Sequence, residues 1–145
     1  MVKYVKTEQG YVDASIFASE ALDLAARMFG HTSVVDNAFY YDETLSITSL
    51  PVCIESIGDY AFSNCTNLAL TSLPSGLTSI GNSAFNGCTN LTSITFTGTP
   101  TSIGSNAFSD CTNLTTINVP WAEGEVANAP WGATNATINY NYTGA

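Results

Sequence analysis

Two kinds of hydrophobic spacing alternate along the central part of the chain. Between Leu91 and Phe96, apolar residues alternate with Ser and Thr, and this period of two predicts a half-buried strand. Between Ile80 and Leu91, apolar residues instead recur about every three or four positions, which predicts a short helical turn with one buried side. Because the two patterns follow each other several times, we predict one strand and one helical turn in each unit of the fold.

A unit of constant length underlies this alternation. The string Ile-Gly-x-x-Ala-Phe-x-x-Cys-Thr-Asn-Leu fits copies that begin at Ile57, Ile80 and Ile103, so the step between copies is 23 residues. A fixed period of this size is typical of solenoids, whose repeats stack on one another and whose terminal repeats are degenerate. We predict an α/β repeat solenoid of about five units over residues 34–142, with degenerate first and last units.

The same step predicts how the last unit aligns with the others. From Phe108 it leads to Trp131, and from Ile117 it leads to Tyr140. We therefore expect Trp131 in the place of the repeated Phe, with a final strand around Tyr140.

Equivalent positions of successive units predict three ladders of similar side chains. Large aromatic residues are expected to fill the core: Phe39, Phe62, Phe85, Phe108 and Trp131. Small thiols occupy a second set of equivalent positions: Cys65, Cys88 and Cys111. Amide side chains occupy a third set: Asn67, Asn90 and Asn113.

The cysteine and asparagine ladders each have a structural and a functional interpretation. We favour buried thiols, because equivalent side chains of stacked repeats point in parallel and suit a disulfide poorly; a disulfide framework and a thiolate metal site are the alternatives. We favour asparagines that bond backbone groups at the repeat corners; a polar binding strip is the alternative.

The first 33 residues do not follow the repeat. Asp13 is placed to cap a helix that runs to Met28, with Gly30 as its stop, and residues 2–5 are predicted to form a short strand. We expect residues 1–33 to form an N-terminal capping segment, strand plus helix, that covers the open core of the first repeat within a single domain.

Charge and hydropathy exclude several classes of partner. The net charge is −9 with only three Lys plus Arg, which is the wrong sign for binding nucleic acid or an acidic membrane surface. No stretch is long and apolar enough to span a bilayer, and the first residues lack the apolar core of a signal peptide. We predict no nucleic-acid binding and no membrane insertion.

Catalytic constellations are missing from the sequence. His31 is the single histidine and has no partner pattern, and there is neither a phosphate-binding glycine loop nor a paired-histidine zinc motif. The acids at 42–43, at Asp110 and at 123–125 fall on predicted loops, where solvation is more common than acid–base work or cation binding. We predict no enzyme, no cofactor and no metal.

Two surfaces remain as candidates for recognition. Aromatic residues on or near loops are the candidate ligand-binding side chains: Tyr40, Tyr41, Tyr60 and Trp121. Exposed Tyr and Trp favour contacts with proteins and sugars, although tyrosine also covers a solenoid end well. The second candidate is the polar row on the strand face: Ser49, Ser72, Thr95 and Asn118.

The repeated string resembles the BspA-like leucine-rich repeat family, well over residues 45–119 and more loosely over 34–142. The resemblance implies a right-handed solenoid with one strand and a short helical segment per turn. It also implies a bacterial surface protein that adheres to host matrix proteins or to other cells. The segment 119–137 is similar to an ending found in short repeat proteins of gut bacteria and their phages.

These observations lead to one expected function and one alternative. We expect a non-catalytic binding or adhesion module that recognises a protein or a glycan through the solenoid surface, at a cell surface or on a virion. The alternative is a structural spacer or assembly subunit, for example in a virion, with no small ligand.

Overall fold

The computed structural model describes residues 4–7, 10–13 and 33–144. The predicted helix between Asp13 and Met28 lies outside these residues. The strands are β1 (Tyr4–Thr7), β2 (Gly10–Asp13), β3 (Ser33–Val34), β4 (Ser56–Ile57), β5 (Ser72–Leu73), β6 (Ser79–Ile80), β7 (Ser93–Phe96), β8 (Ser102–Ile103), β9 (Thr116–Asn118) and β10 (Thr137–Asn139). β1 and β2 form an antiparallel hairpin, and β1 includes residues 4 and 5 of the strand expected at 2–5.

The solenoid is built on two parallel sheets. One sheet has the order β3-β4-β6-β8 and the other has the order β10-β9-β7-β5. Each of the central coils therefore contributes one strand to each sheet. The inward side chains of both sheets, such as Ile80 and Ile94, belong to a single hydrophobic core. The strand predicted between Leu91 and Phe96 is confirmed as β7, whereas the two-residue strands of the first sheet were not anticipated.

The helical turn predicted in each unit is wrong, since residues 33–144 contain turns and strands but no helix. The amide of Ser63 donates to the carbonyl of Tyr60 three residues back, at 3.2 Å, but the amide of Phe62 donates to Ala84 of the next coil, at 2.7 Å. Every second amide in this segment is thus used between coils. A helix would keep these amides within its own segment, so stacking of the coils favours a series of turns.

The aromatic ladder forms the centre of the core. The rings of Phe39, Phe62, Phe85 and Phe108 stack nearly in parallel, with centroids 5.1 Å, 5.3 Å and 5.3 Å apart in chain order. All four side chains are buried. Because the repeat places one ring directly over the next, the spacing of the rings follows the spacing of the parallel strands.

The closing coil departs from the 23-residue step. β10 pairs with β9 so that Ile138 lies beside Ile117, and the prediction that Tyr140 takes this position is therefore wrong. Trp131 is buried as predicted. Its backbone, however, occupies the position of the repeated Ala, because the amide of Phe108 donates to the carbonyl of Trp131 at 2.8 Å. The step from β9 to β10 is therefore 21 residues, from Ile117 to Ile138, instead of 23.

Candidate functional site

Three of the four aromatic residues singled out by the sequence come together on the first two coils. The rings of Tyr40 and Tyr41 lie 4.6 Å apart, and those of Tyr40 and Tyr60 lie 6.1 Å apart, both edge to face. Their side chains are 38%, 56% and 44% exposed in the order Tyr40, Tyr41, Tyr60. We call this group of three residues the tyrosine surface.

Two members of the tyrosine surface have an unusual backbone. Tyr41 and Tyr60 are in the left-handed region, with φ of 59° and 58°, which is uncommon for a bulky residue and costs conformational energy. The other coils place small residues at these two positions, again mostly with positive φ: Asn64, Gly87 and Asp110 for the first, Asn37 and Ser83 for the second. The repeat therefore favours Asn, Asp, Ser or Gly where the first coils carry tyrosine.

The hydroxyl group of Tyr40 is a neutral hydrogen-bonding group. Partial removal of water raises the pKa of Tyr40 above its ordinary value, and the neighbouring Tyr41 raises it further through charge repulsion and a hydrogen bond. The Tyr40 hydroxyl therefore stays protonated at physiological pH and keeps its ability to donate.

A shallow open groove of about 460 Å³ runs along the outer face of the β3-β4-β6-β8 sheet. It adjoins the tyrosine surface because Asp59, in its lining, immediately precedes Tyr60. One serine from each strand lines the groove, together with two carboxylates: Ser33, Ser56, Ser79, Ser102, Asp36 and Asp59. The groove therefore offers a row of hydroxyls with acidic groups at one side.

The two groove carboxylates are held in place by the stacking of the coils. Oδ1 of Asp36 accepts a hydrogen bond from the amide of Asp59 at 2.8 Å, and Oδ1 of Asp59 accepts one from the amide of Asn82 at 2.7 Å. Sequence reasoning missed Asp36 and Asp59. The signal was present, since the same position in successive units reads Asp36, Asp59, Asn82 and Ser105.

The charge of the solenoid is of one sign. All charged side chains from residue 33 onward are acidic, because the lysines, arginine and histidine of the chain are Lys3, Lys6, Arg27 and His31. The tyrosine surface has acidic neighbours in the chain at Asp42, Glu43 and Asp59. These acidic groups of the solenoid attract cations and repel anions.

The cysteine ladder is a packing feature. All four cysteines of the chain lie in the described part, and none forms a disulfide. Cys65, Cys88 and Cys111 are buried, and each thiol donates to the carbonyl of the Phe in the preceding coil at 3.0 Å. Residues 33–144 also contain no group of His, Cys, Asp or Glu arranged to hold a metal ion.

The repeat string, its register and its ladders agree with one protein family. The family model for the BspA type leucine rich repeat region matches residues 32–128 in six copies. This chain belongs to the BspA-type leucine-rich repeat family. Leucine-rich repeat proteins generally mediate binding and are generally not enzymes.

Two solved structures of bacterial leucine-rich repeat proteins are similar to this family member. One is from Bacteroides ovatus, with 29% identity and a TM-score of 0.67 over 75% of this chain and 28% of that protein. The other is from T. pallidum, with 27% identity and a TM-score of 0.49 over 77% of this chain and 63% of that protein. The chain thus spans less than two thirds of either protein's length. No curated protein matches it.

The asparagine ladder of this leucine-rich repeat protein serves the backbone. Nδ2 of Asn113 donates to the carbonyl of Thr89 in the preceding coil at 2.7 Å, and Nδ2 of Asn67 donates to the carbonyl of Glu43. Asn90 occupies the equivalent exposed position between them. The contacts of Asn67 and Asn113 therefore agree with the interpretation that these asparagines bond backbone groups at the repeat corners.

Trp121 does not belong to the tyrosine surface. Its side chain is only 3% exposed, and its ring lies 5.1 Å from Phe96 and 6.1 Å from Trp131. Its indole N–H is buried with no hydrogen-bond partner. The expectation of an exposed Trp121 is thus corrected: the closing coil of the leucine-rich repeat uses this ring to cover the end of the core.

Two members of the polar row on the second sheet, Thr95 and Asn118, are joined by a hydrogen bond. Nδ2 of Asn118 donates to the hydroxyl of Thr95 at 3.1 Å, and Nδ2 of Asn139 donates to Oδ1 of Asn118 at 2.8 Å. Asn118 is buried.

No helix among residues 4–7, 10–13 and 33–144 is long and apolar enough to cross a membrane.

Thiol labelling should separate the cysteines of the ladder from Cys53. Burial raises the pKa of Cys111 to about 12 and raises that of Cys88 well above its ordinary value, so both thiols stay protonated at the alkaline pH of a labelling reaction. We expect native protein to react quickly only at half-buried Cys53, with the other cysteines reacting at the rate of unfolding.

Mass spectrometry of alkylated peptides over time checks this prediction. Cys53→Ser should abolish the fast phase, and a reducing agent should leave the melting temperature unchanged, since there is no disulfide to break. Fast labelling of Cys88 in folded protein would contradict the buried ladder.

Proposed function

We propose that this leucine-rich repeat protein is a non-catalytic binding module that recognises a protein or a glycan through the tyrosine surface and the adjoining serine groove. The observation that carries the proposal is the placement of Tyr41 and Tyr60. Both are exposed rings in a left-handed backbone conformation, at positions where the other coils carry small residues.

The energy of these two residues supports a role outside folding. A bulky residue in the left-handed region costs about 1 kcal/mol or more. Folding leaves 56% of Tyr41 and 44% of Tyr60 in contact with solvent. A contact with a partner would bury the apolar area that folding leaves exposed, and this burial would favour binding.

The chemistry of the surface suits recognition. Tyrosine offers a large, rigid contact area with few rotatable bonds and a hydroxyl that orients a partner, and it is therefore enriched at binding hot spots. The serine hydroxyls of the groove add hydrogen-bonding groups in a regular row.

The proposal is tested by measuring binding to a panel of ligands with variants that carry the residue found at the equivalent position of another coil. The variant Tyr41→Asn with Tyr60→Asn uses the residue found at the equivalent positions 64 and 37, so the fold should tolerate it. We expect affinity for bacterial-surface glycans or host matrix proteins to fall about tenfold or more, since hot-spot residues contribute about 2 kcal/mol or more each. Val52→Ser removes another exposed apolar side chain (59% exposed) and is the control.

Each outcome of the panel has a defined meaning. Binding lost in the tyrosine variant but kept in Val52→Ser supports the proposal. Equal binding by the variant and the unmodified protein would move the site to the strand face. No binding to any member of the panel would favour the structural spacer or assembly subunit.

The same variants make a prediction about stability. Tyr41→Asn and Tyr60→Asn should each raise the free energy of unfolding, by about 1 kcal/mol, because Asn tolerates the left-handed backbone better than Tyr. Chemical denaturation followed by circular dichroism measures this change. A clear loss of stability would instead mean that the rings serve to cover the end of the solenoid.

A further inference from the structure

We propose that the partner of the tyrosine surface is a cationic protein segment, with Lys or Arg side chains lying against Tyr41 and Tyr60 and paired with the carboxylates of Asp36 and Asp59. This inference rests on the proposed function and adds the chemical class of the partner. It is carried by three independent features: the charge of the solenoid, the arrangement of the rings and the free carboxylate oxygens.

The first feature is the absence of cations from the sequence of the solenoid. From residue 33 onward the chain has no Lys, Arg or His, so a basic segment that approaches this surface meets no like charge from the solenoid. Such a one-sided potential speeds the encounter with a cationic partner and rejects acidic ones.

The second feature is the edge-to-face arrangement of the tyrosines. The planes of Tyr40 and Tyr41 cross at 74°, as do those of Tyr40 and Tyr60, so neighbouring rings do not cover both faces of one another. A Lys or Arg side chain gains cation–π energy over such a face, and the planar guanidinium of Arg also stacks on it. Exposed ring faces beside carboxylates therefore suit a cation better than a neutral group.

The third feature is the state of the Asp36 and Asp59 carboxylates. Oδ1 of each is fixed by a backbone amide of the next coil. Within the described part of the chain, Oδ2 of each accepts no hydrogen bond. These oxygens are held in place before a partner arrives, so that less side-chain entropy is lost when a Lys or Arg donates to them.

The groove provides space for the backbone of such a segment. Its serine row, from Ser33 to Ser102, lies beside the two carboxylates. An extended segment along this row would place its peptide groups within reach of the hydroxyls and its basic side chains near Asp36, Asp59 and the tyrosine rings.

The test compares two labelled peptides that differ only in charge. One alternates Arg with Gly and Ser; the other has citrulline in place of every Arg. Fluorescence anisotropy at low and at physiological salt measures the dissociation constant of each with the full chain. We expect the Arg peptide to bind at least about tenfold more tightly than the citrulline peptide, and its affinity to decrease as salt is added.

Three double variants locate the binding. Asp36→Asn with Asp59→Asn keeps the amide acceptor, because Asn82 already occupies this position in the next coil, and removes two charges at the site. Tyr41→Asn with Tyr60→Asn removes the rings. Asp110→Asn with Glu123→Gln removes two exposed charges from later coils and is the charge-matched control. We expect about a tenfold loss in the first two variants and little change in the control.

The outcomes separate this inference from the proposed function. Equal binding of the citrulline peptide, or an equal loss in the Asp110/Glu123 control, would overturn the cationic partner. If neither peptide binds while a glycan of the panel binds in a tyrosine-dependent manner, the partner is a glycan: the inference fails and the proposed function stands. If the tyrosine variant binds every probe as the unmodified chain does, both fail.

Discussion

Phe85→Ala is expected to lower the free energy of unfolding by about 3–5 kcal/mol. Phe85 is buried between two rings of the aromatic ladder, 5.3 Å from Phe62 and 5.3 Å from Phe108. Removing it loses the burial of its own ring and the stacking on both sides. The flanking coils are tied together by backbone hydrogen bonds across the gap, so they cannot close it fully.

Chemical denaturation of the variant measures this effect. Val52→Ala is the control, because its side chain is 59% exposed and surface substitutions usually change stability by less than about 0.5 kcal/mol. An unchanged midpoint for Phe85→Ala would refute the position of this ring in the core.

Gly81→Ala is the second change with a large expected effect, a loss of about 3 kcal/mol, at the upper end of the range for overpacked sites. A Cβ at this position would lie 2.5 Å from the amide nitrogen of Asp59 and 2.6 Å from the carbonyl carbon of Gly58. Both are backbone atoms of the preceding coil, which cannot move away without separating the stacked repeats.

Gly76→Ala is the matched control for this prediction. A Cβ on Gly76 would have no atom within 4 Å, so the substitution should be neutral or slightly stabilising, through a less flexible unfolded chain. Thermal unfolding of the two variants side by side provides the measurement. Equal stability of Gly81→Ala and Gly76→Ala would show that the coils are not packed as closely as described.

The glycine that follows each Ile of the repeat has a role that local sequence does not express. A glycine after each Ile suggests a sharp bend. In the structure, Gly58, Gly81 and Gly104 are instead points of close approach between consecutive coils, so that an added side chain would overlap the coil before it. The distance between coils is a tertiary property that no local pattern expresses.

The sequence alone was sufficient for everything that depends on the repeat period. Because stacking places equivalent residues of successive coils next to each other, the 23-residue step predicts that Phe62 lies on Phe85, and this holds. The buried thiols, the strand at β7 and the one-sided charge follow from the same repetition and from composition.

Only the tertiary structure reveals two features: how backbone hydrogen bonds divide within and between coils, and how the closing coil is arranged. The segment after Ile80 has helical spacing, but its amides bond alternately within a coil and to the next one, so it forms turns. In the closing coil, Ile138 pairs with Ile117 and Trp121 is buried against the core.

The candidate site divides in the same way. The tyrosines were recognisable in the sequence because they depart from the repeat, but only the folded chain brings Tyr60 to Tyr40 and reveals the left-handed backbone of Tyr41. Asp36 and Asp59 are ordinary acids in the sequence. Hydrogen bonds between coils are what fix their carboxylates beside the tyrosine surface, since those bonds exist only once the coils are stacked.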